Sequence, residues 1–171
     1  ACNFSPVSVN HPDFLDFLDA TVADAQVDPT QVSIELTESA AFEAGGRGVA
    51  ALVAVSDRGY RIALDDFGTG YSSLSHIRDL PISSIKVDRS FIVRLTEGSN
   101  ERSIAEAVVR LADDLDVGVV AEGVETSVQL EQAQALGFST IQGWYYSRAI
   151  PLAECLQLSA NRKPAVVASD N

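Results

Sequence analysis

Short runs rich in valine and isoleucine alternate along this chain with longer amphipathic stretches, and that alternation constrains the fold more than any other feature. The runs lie at residues 32–36, 61–64, 84–87, 117–121 and 140–144, each short enough to be a buried strand. Between them apolar residues recur at helical spacing. Phe14, Leu15, Leu18, Val22 and Ala25 follow Pro12 and Asp13, a good helix start. Val49, Leu52, Val53 and Ser56 form a second stripe that ends near Gly59. Ile104, Ala107, Val108 and Leu111 form a third, followed by Asp113, Asp114 and Asp116, which read as a solvated helix end. Val128, Leu130, Ala133 and Leu136 form a fourth, stopped by Gly137, and Pro151 opens a last helix through Leu158. Strand and helix in strict alternation predict an α/β fold, a parallel sheet with crossover helices. The 171 residues suit one domain, taken as residues 1–160. Residues 161–171 show no periodicity and are expected to fray.

The ends of the predicted strands carry the chemistry. The first contains Glu35, with Glu38 just beyond, and the second runs into Asp65 and Asp66. The third contains Lys86 and is followed by Asp88; the fourth ends at Glu122, with Glu125 after it; the fifth contains Gln142. One polar strand end is ordinary. Repeated at every strand, the pattern puts carboxylates, a lysine and an amide on one end of one sheet, where (βα)8 barrels build active sites. Side chains alternate along a strand, so Asp65 and Asp66 cannot both point inward if both are extended, and at least one is expected in a turn. Carboxylates crowded without a nearby arginine stay partly protonated unless cations relieve them. An all-oxygen ligand set suits Mg²⁺, Mn²⁺ or Ca²⁺, and the two histidines, His11 and His76, sit away from the strand ends, which argues against zinc.

Composition narrows the partners. Lys+Arg total 12 against Asp+Glu 24, a net charge of −12, which argues against polymeric nucleic acid or an anionic membrane surface. A small phosphate ester remains open if bound cations reverse the local sign. No apolar run approaches the roughly 18 residues of a membrane helix, and no signal peptide is visible. Cys2 and Cys155 are isolated, without a disulfide framework, which fits a reducing cytoplasm. Met is 0, so Ala1 is not a translational start, and the chain is expected to be a piece of a longer or processed protein.

The segment Asp65-Asp66-Phe67-Gly68-Thr69-Gly70-Tyr71-Ser72-Ser73 resembles the signature loop of EAL domains, bacterial phosphodiesterases that open cyclic di-GMP. Asn3-Phe4-Ser5 is similar to the family's N-x-S, Glu35 to Glu38 to its E-x-T-E, and Lys86 to Asp88 to its K-x-D. Glu122 to Glu125 resembles E-G-V-E, and Gln142-Gly143 its Q-G. The resemblance covers essentially residues 3–151 and implies a TIM-type (βα)8 barrel that uses two divalent cations, Mg²⁺ or Mn²⁺, to hydrolyse cyclic di-GMP to linear pGpG. It further implies that Asn3, Glu35, Asp65, Asp66 and Glu122 are metal ligands or hold the attacking water. Lys86 would position or polarise that water, with Lys86, Glu122 and Asp66 as the catalytic groups. Gln142, Glu125 and Asp88 would support the site or the substrate. Glu38 would anchor the loop of Phe67, Gly68, Thr69 and Gly70, through which family members also dimerise. The setting implied is the cytoplasm, free or as the cytoplasmic part of a membrane-anchored protein.

Three departures accompany the resemblance. The EAL motif itself, with one metal-ligating Glu, a following Arg and the first barrel strands, is absent from the sequence, as is the strand expected to lead to Asn3. Ala149 follows Arg148 where the family has Pro, and Trp144 stands where Tyr is usual. With the barrel incomplete, low or no turnover is expected from residues 1–171 alone. The alternative function is a degenerate EAL domain that binds cyclic di-GMP or a protein partner without turnover. Plainer readings of single residues stay open: polar strand ends for Glu35, Asp65 and Asp66; an ion pair with Asp88 or another carboxylate for Lys86; a helix N-terminal acid for Glu125; a satisfied core amide for Gln142.

Overall fold

A computed structural model describes residues 1–43, 45–69, 77–95 and 98–161. Six strands form one parallel sheet in sequence order: β1 (Cys2–Asn3), β2 (Ser33–Thr37), β3 (Arg61–Phe67), β4 (Ser84–Val87), β5 (Gly118–Ala121) and β6 (Thr140–Ile141). The strand order never reverses, as it would at the switch point of a doubly wound sheet, so this is the succession of a (βα)8 barrel, incomplete among the described residues. The expected helices are α2 (Phe14–Asp24), α4 (Gly45–Asp57), α6 (Asn100–Asp114), α7 (Ser127–Leu136) and α8 (Leu152–Asn161), with short α1 (Pro6–Val9), α3 (Glu38–Glu43) and α5 (Arg89–Ile92) besides. Gly137 ends α7 in the left-handed conformation, and Thr126 with Gln129 closes a capping box at its start.

Two expectations need correction. A strand does lead to Asn3: β1 pairs with β2 through Cys2↔Ile34 and Asn3↔Glu35, and its two residues are too few to show a periodicity. The last strand stops at Ile141 rather than running to Trp144, because residues 144–146 form a turn. Gly70, Tyr71, Ser72, Ser73 and His76, and the tail at 162–171, lie outside the described residues.

Register explains how a barrel-like sheet separates core from chemistry. Ile34 pairs with Ile62 and Leu36 with Leu64, while Ile85 pairs with Val119 and Val87 with Ala121. These eight side chains are nearly fully buried and share one core with Leu52 and Val55 of α4 and Ala105, Val108 and Ala112 of α6. Alternation then sends Glu35, Ala63, Asp65, Lys86 and Val120 to the other face. The expectation about Asp65 and Asp66 is resolved by a bulge. Between the pairs Leu64↔Ile85 and Phe67↔Val87, β3 advances three residues while β4 advances two. Asp66 absorbs the extra step at φ 52°, a conformation aspartate tolerates better than most residues, and Phe67 returns to the core.

Candidate functional site

Lys86 is the centre of the inner face. Its Nζ lies 3.0 Å from Glu35 Oε2, 2.8 Å from Asp65 Oδ1 and 2.8 Å from Glu122 Oε1. It is 5% exposed, and β2, β3 and the residue after β5 each deliver one of its partners. Burial alone would push the ammonium down in pKa; the three carboxylate bonds outweigh it and hold Lys86 well above its ordinary value, fully protonated near neutrality. Of the ion pairs left open for Lys86, these three form, whereas Asp88 turns its Oδ1 to the Ser90 N–H at 2.9 Å and caps α5.

One ammonium does not balance the acids. Carboxylate oxygens of Asp65, Asp66 and Glu122 come within 4.8 Å of one another. Burial first, then the charges of Asp65 and Asp88, push the Asp66 carboxyl up from its ordinary value against the pull of Lys86. Burial also pushes Glu122 up, with Asp65 and Glu35 adding to it and Lys86 opposing. Such a cluster, all oxygen and over-supplied with negative charge, fits a hard divalent cation. The bulge at Asp66 is what lets two successive residues of one strand join it.

The other candidate residues surround this cluster. Asn3 is exposed and, opposite Glu35 in the ladder, shares its face. Glu38 is 4% exposed, and its Oε2 accepts the Gly68 N–H at 3.2 Å. Thr69 turns its hydroxyl to the Asp66 carbonyl at 2.8 Å, and Phe67 is buried. Gln142 is exposed; its N–H donates to the Ala121 carbonyl and its carbonyl accepts the Val124 N–H, so its backbone ties β6 to the turn that carries Glu122. Gly143 packs so close to the Val124 backbone that any Cβ there would overlap it. A cleft of about 950 Å³ runs from Glu122 past Gln142 to Trp144, Tyr146 and Arg148.

Residues that the spacing did not single out also shape the cleft. Arg89 pairs with Glu125 at 2.6 Å, and the guanidinium of Arg148 lies 4.0 Å from the centre of the Trp144 ring. An isolated Arg following Asp88 gives no local signal of a partner so far along the chain.

Comparison with known proteins gives the family. Residues 1–149 match the EAL domain. The chain is 36% identical over 156 residues to the bifunctional diguanylate cyclase/cyclic di-GMP phosphodiesterase MucR of Pseudomonas aeruginosa, covering 91% of this chain and 23% of that protein. It superimposes on the EAL domain of Mycobacterium smegmatis DcpA with a TM-score of 0.87 at 32% identity, covering 95% of this chain and 73% of the other. A manganese and cyclic di-GMP complex of Klebsiella pneumoniae BlrP1 gives a TM-score of 0.79 at 35% identity, over 85% of this chain and 37% of that one. The chain spans about a fifth of the length of the curated relatives it matches.

Proposed function

This chain belongs to the EAL-domain family, and from that premise we propose that it acts on cyclic di-GMP, hydrolysing one phosphodiester bond to linear pGpG with two divalent cations, Mg²⁺ or Mn²⁺. The observation that carries the reading is the buried Lys86 held by Glu35, Asp65 and Glu122, with the Asp66 carboxylate beside Asp65 and Glu122. Asp65, Asp66 and Glu122 are the groups to hold the cations, with Glu35 and Asn3 next to them on the same face. When bound, the cations supply electrostatic stabilisation to both the attacking and the departing oxygen.

The chain's own groups do the rest. Lys86 stays protonated, so it cannot serve as the base; with its three N–H groups on Glu35, Asp65 and Glu122 it positions those carboxylates around the attacking water, and its charge counters that on the phosphoryl oxygens. Water attacks phosphorus in line with the departing 3′ oxygen: as the new P–O bond forms the P–O3′ bond breaks, and the proton the water loses passes by way of the carboxylate cluster to the 3′ oxygen, which leaves as a hydroxyl. The cleft from Glu122 to Trp144 gives a dinucleotide room on the open side, and Gln142 and Glu125 line it. Asp88 supports the site through its charge on Asp66. Glu38 holds the Gly68 N–H, in the Asp65-to-Ser73 segment through which two copies would pair. Two exposed free cysteines support a cytoplasmic setting. Among the described residues no helix is long and apolar enough to cross a membrane.

The test is a chromatographic assay of cyclic di-GMP with excess Mn²⁺ and enzyme in excess over substrate, with binding followed in parallel. Slow formation of pGpG that falls at least about 100-fold in Glu122→Ala supports hydrolysis. Binding without product favours the binding-module alternative. Absence of both binding and turnover overturns the reading.

A further inference from the structure

Glu122 sits on a four-residue turn after β5, and that turn is gripped from outside by one side chain. Arg89 Nη2 lies 2.6 Å from Glu125 Oε1, at the far end of the turn. The aliphatic stem of Arg89 lies where a side chain on Gly123 would be: a Cβ there would overlap its Cβ, Cγ and Cδ. Gly123 has φ +70°, so the turn is shaped for a residue without a side chain, and Arg89 fills the space. Farther out, the guanidinium is 5.5 Å from the centre of the Trp144 ring, on the loop after β6. Arg89 opens α5, directly after the strand that carries Lys86. It therefore spans three strand ends and touches the residues on either side of Val124, whose N–H and carbonyl are already tied to Gln142 and Tyr145.

The energetics point away from a role in global stability. The Arg89 side chain is 52% exposed and that of Glu125 32%, and exposed ion pairs add little to folding. What the contact fixes is direction. We propose that Arg89 is a positioning residue for Glu122: by holding Glu125 and packing on Gly123, it aims the Glu122 carboxylate at Asp65, Asp66 and Lys86. Groups that orient metal ligands from outside typically govern affinity about 10–100-fold. The inference rests on the reading of the acidic cluster as a cation site.

The experiment is calorimetric titration of Mn²⁺ into the whole chain, for the unmodified protein, Arg89→Gln, Glu125→Gln and the double variant, with thermal melting recorded for each. Arg102→Gln, which breaks an ion pair of 2.9 Å to Glu106 on α6, is the control. Each single variant should weaken Mn²⁺ binding about 10-fold or more, with the double variant no weaker than either single, because one contact is lost in all three. The control should bind as the unmodified chain does. Arg89→Gln binding Mn²⁺ like the unmodified chain overturns the inference, as does a loss that only tracks the unfolded fraction. An unmodified chain that binds no Mn²⁺ overturns the underlying reading of the site, and the inference with it.

Discussion

Lys86 faces a balance that a single substitution can reveal. Its ammonium is nine-tenths enclosed and answers to three carboxylates on three strands. Removing one member of such a buried set leaves the others charged and uncompensated, at a cost of about 3 kcal/mol. In Lys86→Met the attraction that now opposes the upward shifts of Glu122 and Asp66 is gone, so their folded-state pKa values rise further. An acid whose folded pKa exceeds its unfolded one destabilises the fold above that pKa, and the penalty fades as pH falls through it. Thermal melts should therefore show Lys86→Met well below the unmodified chain at pH 7.5, with the gap narrowing at pH 5. A gap that is the same at both values would mean that lost packing, not charge, sets the cost.

At the scale of elements, Tyr60 joins α2 to the start of β3. Its hydroxyl donates to Asp19 Oδ1 at 2.8 Å, and Arg58 holds the other oxygen of that carboxylate at 2.7 Å. Burial, then the Asp19 hydrogen bond and charge, pushes the phenol from 10.0 up to about 12. The folded pKa lies above the unfolded one, so this contribution is fully present below pH 10 and is lost as pH rises through about 12. Tyr60→Phe should cost about 1 kcal/mol near pH 7 in denaturant unfolding, and its stability should fall less steeply across that alkaline window. The longer elements were legible in the sequence because each repeats its pattern often enough to be seen: α2, α4, α6 and α7 show their apolar stripes, and β2 to β5 their apolar runs. β1, α1 and α5 were not, since two to four residues carry no period. Likewise Glu35, Asp65, Lys86 and Glu122 stood out as strand-end acids and a buried base. Arg89 and its grip on Glu125 did not, because that contact is made by the fold and leaves no trace in local spacing.

For the molecule as a whole, the sheet has a middle and two ends. β3 and β4 are paired on both sides, while β1 and β6 each have one neighbour among the described residues and only two residues apiece. Unpaired strand edges open most easily. Hydrogen exchange read by mass spectrometry should show the amides of β3 and β4 as the slowest and those of β1 and β6 among the fastest of the strands. Equal protection of all six strands that appears only at high protein concentration would show the edges covered by association. The bulge in β3 acts at this scale too. A strand counts its residues in twos, and β3 misses one beat at Asp66. Loss of a single codon between Leu64 and Phe67 would restore the beat, keep both flanking side chains in the core, and leave one inward place where two carboxylates now stand. The acidic cluster of this chain is thus written in its length as well as in its letters.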